Sequence, residues 1–156
     1  MAKVKAIPER YHSITPNLVC RDTAGAIEFY KKVFGATEAM RALTPDGKVM
    51  HAELQIGDSI FFVNDSMTQA ETGSKPAAPH PIYLHVYFED VDTIFKRAVA
   101  AGANVLMPLN NMFWGDRYAK IADPYGQHWG IATHVEDVSP EEMDKRQKAL
   151  FSKAAS

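Results

Sequence analysis

Imidazoles paired with carboxylates or aromatic rings at alternate positions are the features of this chain best suited to chemistry. In VMHAELQI, His51 and Glu53 stand two residues apart. On an extended strand they share one face, while Met50, Ala52, Leu54 and Ile56 take the other and are expected to be core. In IYLHVYF the same alternation groups Tyr83, His85 and Tyr87 against Ile82, Leu84, Val86 and Phe88. In the run from His128, that residue shares a face with Gly130 and Ala132, opposite Trp129 and Ile131. Imidazole and carboxylate are the donors that hold zinc or non-haem iron, and His51, Glu53, His85 and His128 make a set of that type with no fixed ligand spacing. His85 or Glu53 alone suits a general base. An antiparallel sheet with one face in water produces the same pattern at His51 and Glu53, so plain solvated surface is an equal reading there. Two large rings around an imidazole are costlier to leave in water, and Tyr83, His85 and Tyr87 therefore point to a lined cavity or a subunit interface.

NMFWGDRY is the second segment suited to chemistry or recognition. Phe113 and Trp114 offer flat apolar area, Gly115 permits a tight turn, and Asp116 and Arg117 place a charge pair at the start of a strand. Either Asp116 caps the turn with Arg117 paired to it locally, or an aromatic ring covers a flat ligand while Arg117 meets a carboxylate or other anion. DPYGQ reads as a turn shaped by Asp123 and Pro124. No nucleophile elbow, phosphate loop or serine-histidine-aspartate pattern is present.

These residues need elements to position them, and the chain has the material: 156 residues, 46% hydrophobic and 23% charged, enough for one globular unit with a proper core. SITPNLVCRD is β-like, and TAGAIEFYKKVFGA repeats Ile27, Tyr30 and Phe34 at helical spacing between an Asp22 N-cap and a Gly35 stop. TEAMRAL, the turn PDGK, VMHAELQI and IFFVND then read as three strands. The order β-α-β-β-β recurs from IYLHVYFED through the helix VDTIFKRAVAAGA, with Ile94 and Ala98 on one face and Gly102 closing it, to NVLMPLN, RYAKIAD and HWGIATHV. Module one is placed at about 13–65, a connector rich in Ala, Pro, Ser and Thr at 66–81, and module two at about 82–136. A last helix at about 139–152 has Ser139 as N-cap, Pro140 at its first position and Glu142 completing a capping box, with Met143, Leu150 and Phe151 roughly aligned to rest on the body or on a partner subunit.

The formal net charge of −2, with basic residues scattered, leaves no footprint for gripping phosphates and excludes nucleic acid as a partner. Cys20, the sole cysteine, allows neither a disulfide framework nor a thiolate-rich metal site within one chain and suits a reducing compartment. MAKVKAIPERYHS has no apolar stretch behind its basic residues, and no apolar run reaches membrane-spanning length. A cytoplasmic protein without a membrane partner is expected.

Two βαβββ modules, the FY pair followed by KVFGA, HAELQIGDS, and DPYGQHWGIATHVEDVSPEEM together resemble the vicinal-oxygen-chelate superfamily of glyoxalases, bleomycin-resistance proteins and extradiol dioxygenases. FWGDRY, DPYG and the trailing EDVSPEEM are most similar to its PhnB-like branch. The resemblance spans about Ser13 to Arg146. It implies an α+β fold in which the modules form a curved, mostly antiparallel, cup-shaped sheet with helices outside, frequently in a homodimer. It also implies, in many members, a divalent metal held by one side chain from the first and last strand of each module. Counted from Asp22, Asp90, Gly57 and Gly126, those positions fall here on Thr15, Tyr83, Phe61 and Gly130, none of them a good ligand. The expectation is therefore a small-molecule-binding protein with no cofactor, holding an aromatic or drug-like ligand in its cup. Thr15, Asn17, His51, Glu53 and Phe61 would line it from module one, and Tyr83, His85, Tyr87, Trp114, Arg117 and His128 from module two. The alternative is an enzyme: a lyase, isomerase or dioxygenase using Zn, Ni, Mn or Fe on shifted ligands such as His51, Glu53 and His85, or a metal-free catalyst with His85 or Glu53 as base. A third reading is a dimeric scaffold whose cup is vestigial.

Overall fold

Asp22 accepts a hydrogen bond from the Gly25 backbone N–H at 3.0 Å and opens helix α1 (Thr23–Phe34), which ends at Gly35 in the left-handed conformation with φ 68°. A computed structural model describes residues 7–66 and 82–154, and the rest of the expected connector lies outside them. Strands β1 (Asn17–Cys20), β2 (Thr37–Leu43), β3 (Val49–Ile56) and β4 (Ser59–Asp65) form one sheet in the order β1-β4-β3-β2. β1 runs parallel to β4 and the other pairs are antiparallel. The second module repeats this with β5 (Leu84–Tyr87), α2 (Val91–Ala100), β6 (Asn104–Asn111), β7 (Asp116–Ala122) and β8 (His128–His134), in the order β5-β8-β7-β6. Its end pair is again parallel, so the α+β, twice βαβββ reading holds. The described residues fall into two compact units, 7–66 with 124–127 and 82–123 with 128–154.

In the first unit the helical spacing buries Ile27, Tyr30, Val33 and Phe34 against Leu18, Cys20, Ala52, Leu54, Phe61 and Val63. Each large apolar side chain so buried contributes about 1.5–3 kcal/mol, far more than helix propensity does over the same residues. Phe61 is thus a core residue, its ring edge-on to Tyr30 at 6.0 Å, and the residue of β4 on the face away from α1 is Phe62, which the pairing Glu53↔Phe62 places beside Glu53. The cup position read as Phe61 is off by one, because the count from Gly57 sets only the start of the strand and a one-residue step reverses its faces. Met50, expected in the core, is 54% exposed, since the β2–β3 register shifts between Ala42 and Leu43 and turns Val49 inward instead. Ile82 precedes β5 and is exposed as well. Pro108 lies in β6, an edge strand, near register shifts that spare it a ladder donor.

The C-terminal helix, α3 (Pro140–Ala154), begins where Ser139 Oγ accepts from the Glu142 N–H at 3.2 Å. The capping box is only half made, because the Glu142 carboxylate turns to Arg146 Nε at 2.9 Å. Arg146 also holds both Glu136 oxygens, at 2.8 and 2.9 Å, while Leu150 and Phe151 stay exposed. No helix among the described residues is long and apolar enough to cross a membrane.

A side chain at the end of each module's last strand catches the first N–H of that module's helix. Asp65 accepts from the Thr23 N–H at 2.9 Å and, on its other oxygen, from the Val49 N–H at 2.7 Å. Thr133 Oγ1 accepts from the Val91 N–H at 2.9 Å and donates to the Phe88 carbonyl at 2.8 Å. These backbone donors belong to fully buried residues, so an unmatched one would cost about 1–3 kcal/mol. Asp65→Ala is expected to lower unfolding stability in urea by at least about 2 kcal/mol, and a loss below about 0.5 kcal/mol would refute the double cap.

Candidate functional site

Strand alternation gives each sheet a face away from its helix, and the two units use that face differently. In the first unit the chain covers it with its own residues. Glu53 is 3% exposed, its Oε1 paired with Arg10 Nη2 at 2.8 Å and its Oε2 accepting from the Tyr11 hydroxyl. Tyr11 leans edge-on against Phe62 at 5.9 Å, and His51 meets the same ring at 4.7 Å. Asn17 donates to Asn64 at 2.6 Å, and Thr15 is half-buried just before β1. A carboxylate already held by a guanidinium and a phenol is poorly placed to take a substrate proton.

In the second unit the face is open and lined by rings. Tyr83, His85, Tyr87, Met107, Trp114, Asp116 and Tyr118 surround a recess of about 480 Å³. β5 supplies His85 and Tyr87, with Tyr83 just before it, and β7 supplies Asp116 and Tyr118 from alternate positions. His85 stacks on Tyr118 at 5.5 Å with 15° between planes and lies 4.7 Å from Tyr87. Trp114 stands edge-on to Tyr118 at 5.8 Å and to Phe113 at 5.1 Å. Burial, followed by the neighbouring Tyr83 hydroxyl, pushes the Tyr118 phenol up to about 12, so it remains a neutral donor at physiological pH. Lys120 Nζ sits 4.1 Å above the Tyr83 ring centre.

Asp116 anchors this wall although it is 3% exposed. Its Oδ2 accepts from the Tyr87 hydroxyl at 3.0 Å and from Trp114 Nε1–H at 2.9 Å, and its Oδ1 meets His134 Nδ1 at 2.8 Å. Burial alone would raise the Asp116 carboxyl, but hydrogen bonds from His134, Trp114 and Tyr87 outweigh it and hold it below the usual range. His134 Nε2 meets Asp137 at 2.9 Å, and these bonds to Asp137 and Asp116 raise the imidazole. Burial and donation to Asp116 raise the Tyr87 phenol.

Several residues expected at the site stand elsewhere or act differently. Arg117 points to the helix side, clamped by both Asp92 oxygens at 2.6 and 2.7 Å and by Asn111 at 3.1 Å. It is neither the local partner of Asp116 nor an anion hook in the recess, because neighbours on a strand face opposite ways. His128 is half-buried at the start of β8, outside the residues lining the recess. Tyr118, Met107, Asp116 and His134 complete the site, and the alternation of DRYAKIA, which puts Asp116, Tyr118 and Lys120 on one face, was the available signal.

The metal positions carried over to this unit are Tyr83 and Gly130, and they do not fit an ion. A Cβ at Gly130 would lie 3.0 Å from Tyr118 Cε2, 3.1 Å from its hydroxyl and 3.2 Å from Tyr83 Cε2. Aromatic rings occupy the space a carboxylate donor needs. Within neither unit do three His, Cys, Asp or Glu side chains among the described residues come together as an ion requires.

Residues 10–131 match the model of the Glyoxalase/Bleomycin resistance protein/Dioxygenase superfamily. An uncharacterized protein of Mycobacterium bovis is 41% identical over 145 residues, spanning 90% of this chain and 93% of that protein. Among solved structures, TioX from Micromonospora sp. ML1 is 28% identical with a TM-score of 0.62, covering 80% of this chain and all of that one. The PhnB protein from Bacillus cereus, 22% identical with a TM-score of 0.64 over 78% of this chain and 99% of its own, shares the fold.

The Asp116–His134–Asp137 cluster makes a pH prediction with a definite sign. A raised imidazole stabilises fully below its ordinary value of about 6.5 and loses that contribution as pH rises through the raised one. A depressed carboxyl stabilises above its ordinary value of about 3.9 and loses that contribution as pH falls through the depressed one. The cluster is thus strongest between about pH 4 and 6.5. The urea midpoint of the protein is expected to fall between about pH 6 and 9 by more than that of His134→Gln, and parallel profiles would exclude the clamp.

Proposed function

The chain belongs to the Glyoxalase/Bleomycin resistance protein/Dioxygenase superfamily, and on that footing we propose that it binds a flat aromatic small molecule in the recess of its second module, without a metal at the family's usual positions. The observation that carries this reading is Gly130. The side chain missing there is replaced by the rings of Tyr118 and Tyr83, so the site offers π faces where a chelating member would offer a donor. A mostly apolar, concave site with a few placed polar groups is what small-molecule recognition uses, and Tyr83, Tyr87, Trp114 and Tyr118 around His85 and Asp116 have that make-up. The buried Cys20 supports a cytoplasmic setting for this activity, and the exposed Leu150 and Phe151 of α3 support a homodimer.

The test is titration with 2-naphthol, followed by tryptophan fluorescence. Binding is expected to be equal in EDTA and in excess Zn, Ni, Mn or Fe ions, and about three- to tenfold weaker in Trp114→Ala, the range a lost aromatic stack predicts. Binding that requires a divalent ion, or that Trp114→Ala leaves unchanged, would contradict the proposal.

A further inference from the structure

The recess has an electrostatic character set by Asp116. One oxygen of this buried carboxylate accepts hydrogen bonds from two rings at once, the Tyr87 phenol at 3.0 Å and the Trp114 indole at 2.9 Å. A phenol or indole donating to a carboxylate stays neutral, but its O–H or N–H bond is polarised toward the acceptor, which enriches the ring face in electrons. Such faces attract cations through the ring quadrupole. The second Asp116 oxygen does not discharge the site. His134 reaches Asp116 and Asp137 through its two nitrogens, at 2.8 and 2.9 Å, but its ring is half-exposed and Asp137 fully exposed, so water screens that side while Asp116 lies buried against the Tyr87 and Trp114 rings.

The surroundings agree. Tyr87 is 60% exposed, so ring surface is open to a ligand, and Met107 adds a polarisable thioether to the same lining. Lys120 already seats its ammonium over Tyr83 at 4.1 Å, which leaves Tyr87 and Trp114 as the faces for an incoming charge. Arg117, the cation that would have recruited an anion, is turned away and clamped by Asp92.

Resting on the second-module recess as the binding site, we propose that its ligand is a flat cation, such as a quaternised or protonated heteroaromatic ring, stacked on Tyr87 and Trp114, and that Asp116 is the positioning residue that sets this preference. The experiment uses three bicyclic probes of nearly equal size: 1-methylquinolinium, 1-methylnaphthalene and 1-naphthoate. Each is titrated into the full chain while the Trp114 Nε1–H resonance is followed by NMR. The cation is expected to bind about tenfold more tightly than its neutral isostere, a difference of about 1.4 kcal/mol, with the anion weakest. Asp116→Asn lowers the cation-to-neutral affinity ratio to about threefold or less, as does Tyr87→Phe, which keeps the ring and removes only the donor. Because the ratio is read within each variant, a general loss of affinity leaves it unchanged. Equal affinity for cation and neutral isostere, or a tighter anion, overturns the inference while the aromatic-binding reading stands. An unaltered ratio in both variants overturns the role of Asp116. No response of Trp114 to any of the three probes overturns both the inference and the reading beneath it.

Discussion

A carboxylate withdrawn from water keeps its charge only if donors surround it, and Asp116 draws those donors from three parts of the second module: Tyr87 of β5, Trp114 of the turn before β7, and His134 at the end of β8. The walls of the recess are therefore fixed by one group. Its own position follows from pairing and sterics. Asp116 lies opposite His134 in the β7–β8 ladder, and the preceding Gly115 has φ 100° with the Glu136 carbonyl 2.0 Å from where a Cβ would stand. Only a residue without a side chain allows that approach, and the Val135 and Glu136 N–H groups then both donate to the Gly115 carbonyl, at 2.9 and 3.0 Å.

The two modules show how one topology yields different surfaces. In the parallel end pairs, Asn17 stands opposite Phe62 and His85 opposite Gly130, which makes Phe62 and Gly130 equivalent positions. In the first module Phe62 fills its place, and Tyr11 and Arg10 close over the neighbouring Glu53. In the second, Gly130 leaves a gap that Tyr118 and Tyr83 enter, and the face beyond them remains open. The backbone pattern is repeated while the chemistry is not, and the difference comes down to a few side chains on the uncovered faces.

The order of elements was legible because it depends on local patterns: the Asp22 cap, the Gly35 stop and period-two alternation in the strands. The aromatic identity of the site was legible too, since Tyr83, His85 and Tyr87 share a face by alternation alone. What escaped depended on register and on partners distant in sequence. Phe61 and Phe62 are indistinguishable by composition, and only the Glu53↔Phe62 pairing tells core from surface. Asp116 and Arg117 look like a natural pair because they are adjacent, yet β geometry sends them to opposite sides, one to Tyr87 and the other to Asp92. Gly130 read as a missing ligand, whereas in the fold it makes room for an aromatic ring.

The most direct test of this account is hydrogen exchange at the Trp114 indole N–H, in the parent protein and in Asp116→Ala. If Asp116 holds the recess together, that proton exchanges slowly in the parent and at the rate of an exposed indole in the variant, while the Trp129 indole, bonded to Asp123 at 2.9 Å, stays protected in both. Equal protection of Trp114 in the two proteins would mean that the walls stand without Asp116, and would contradict the account.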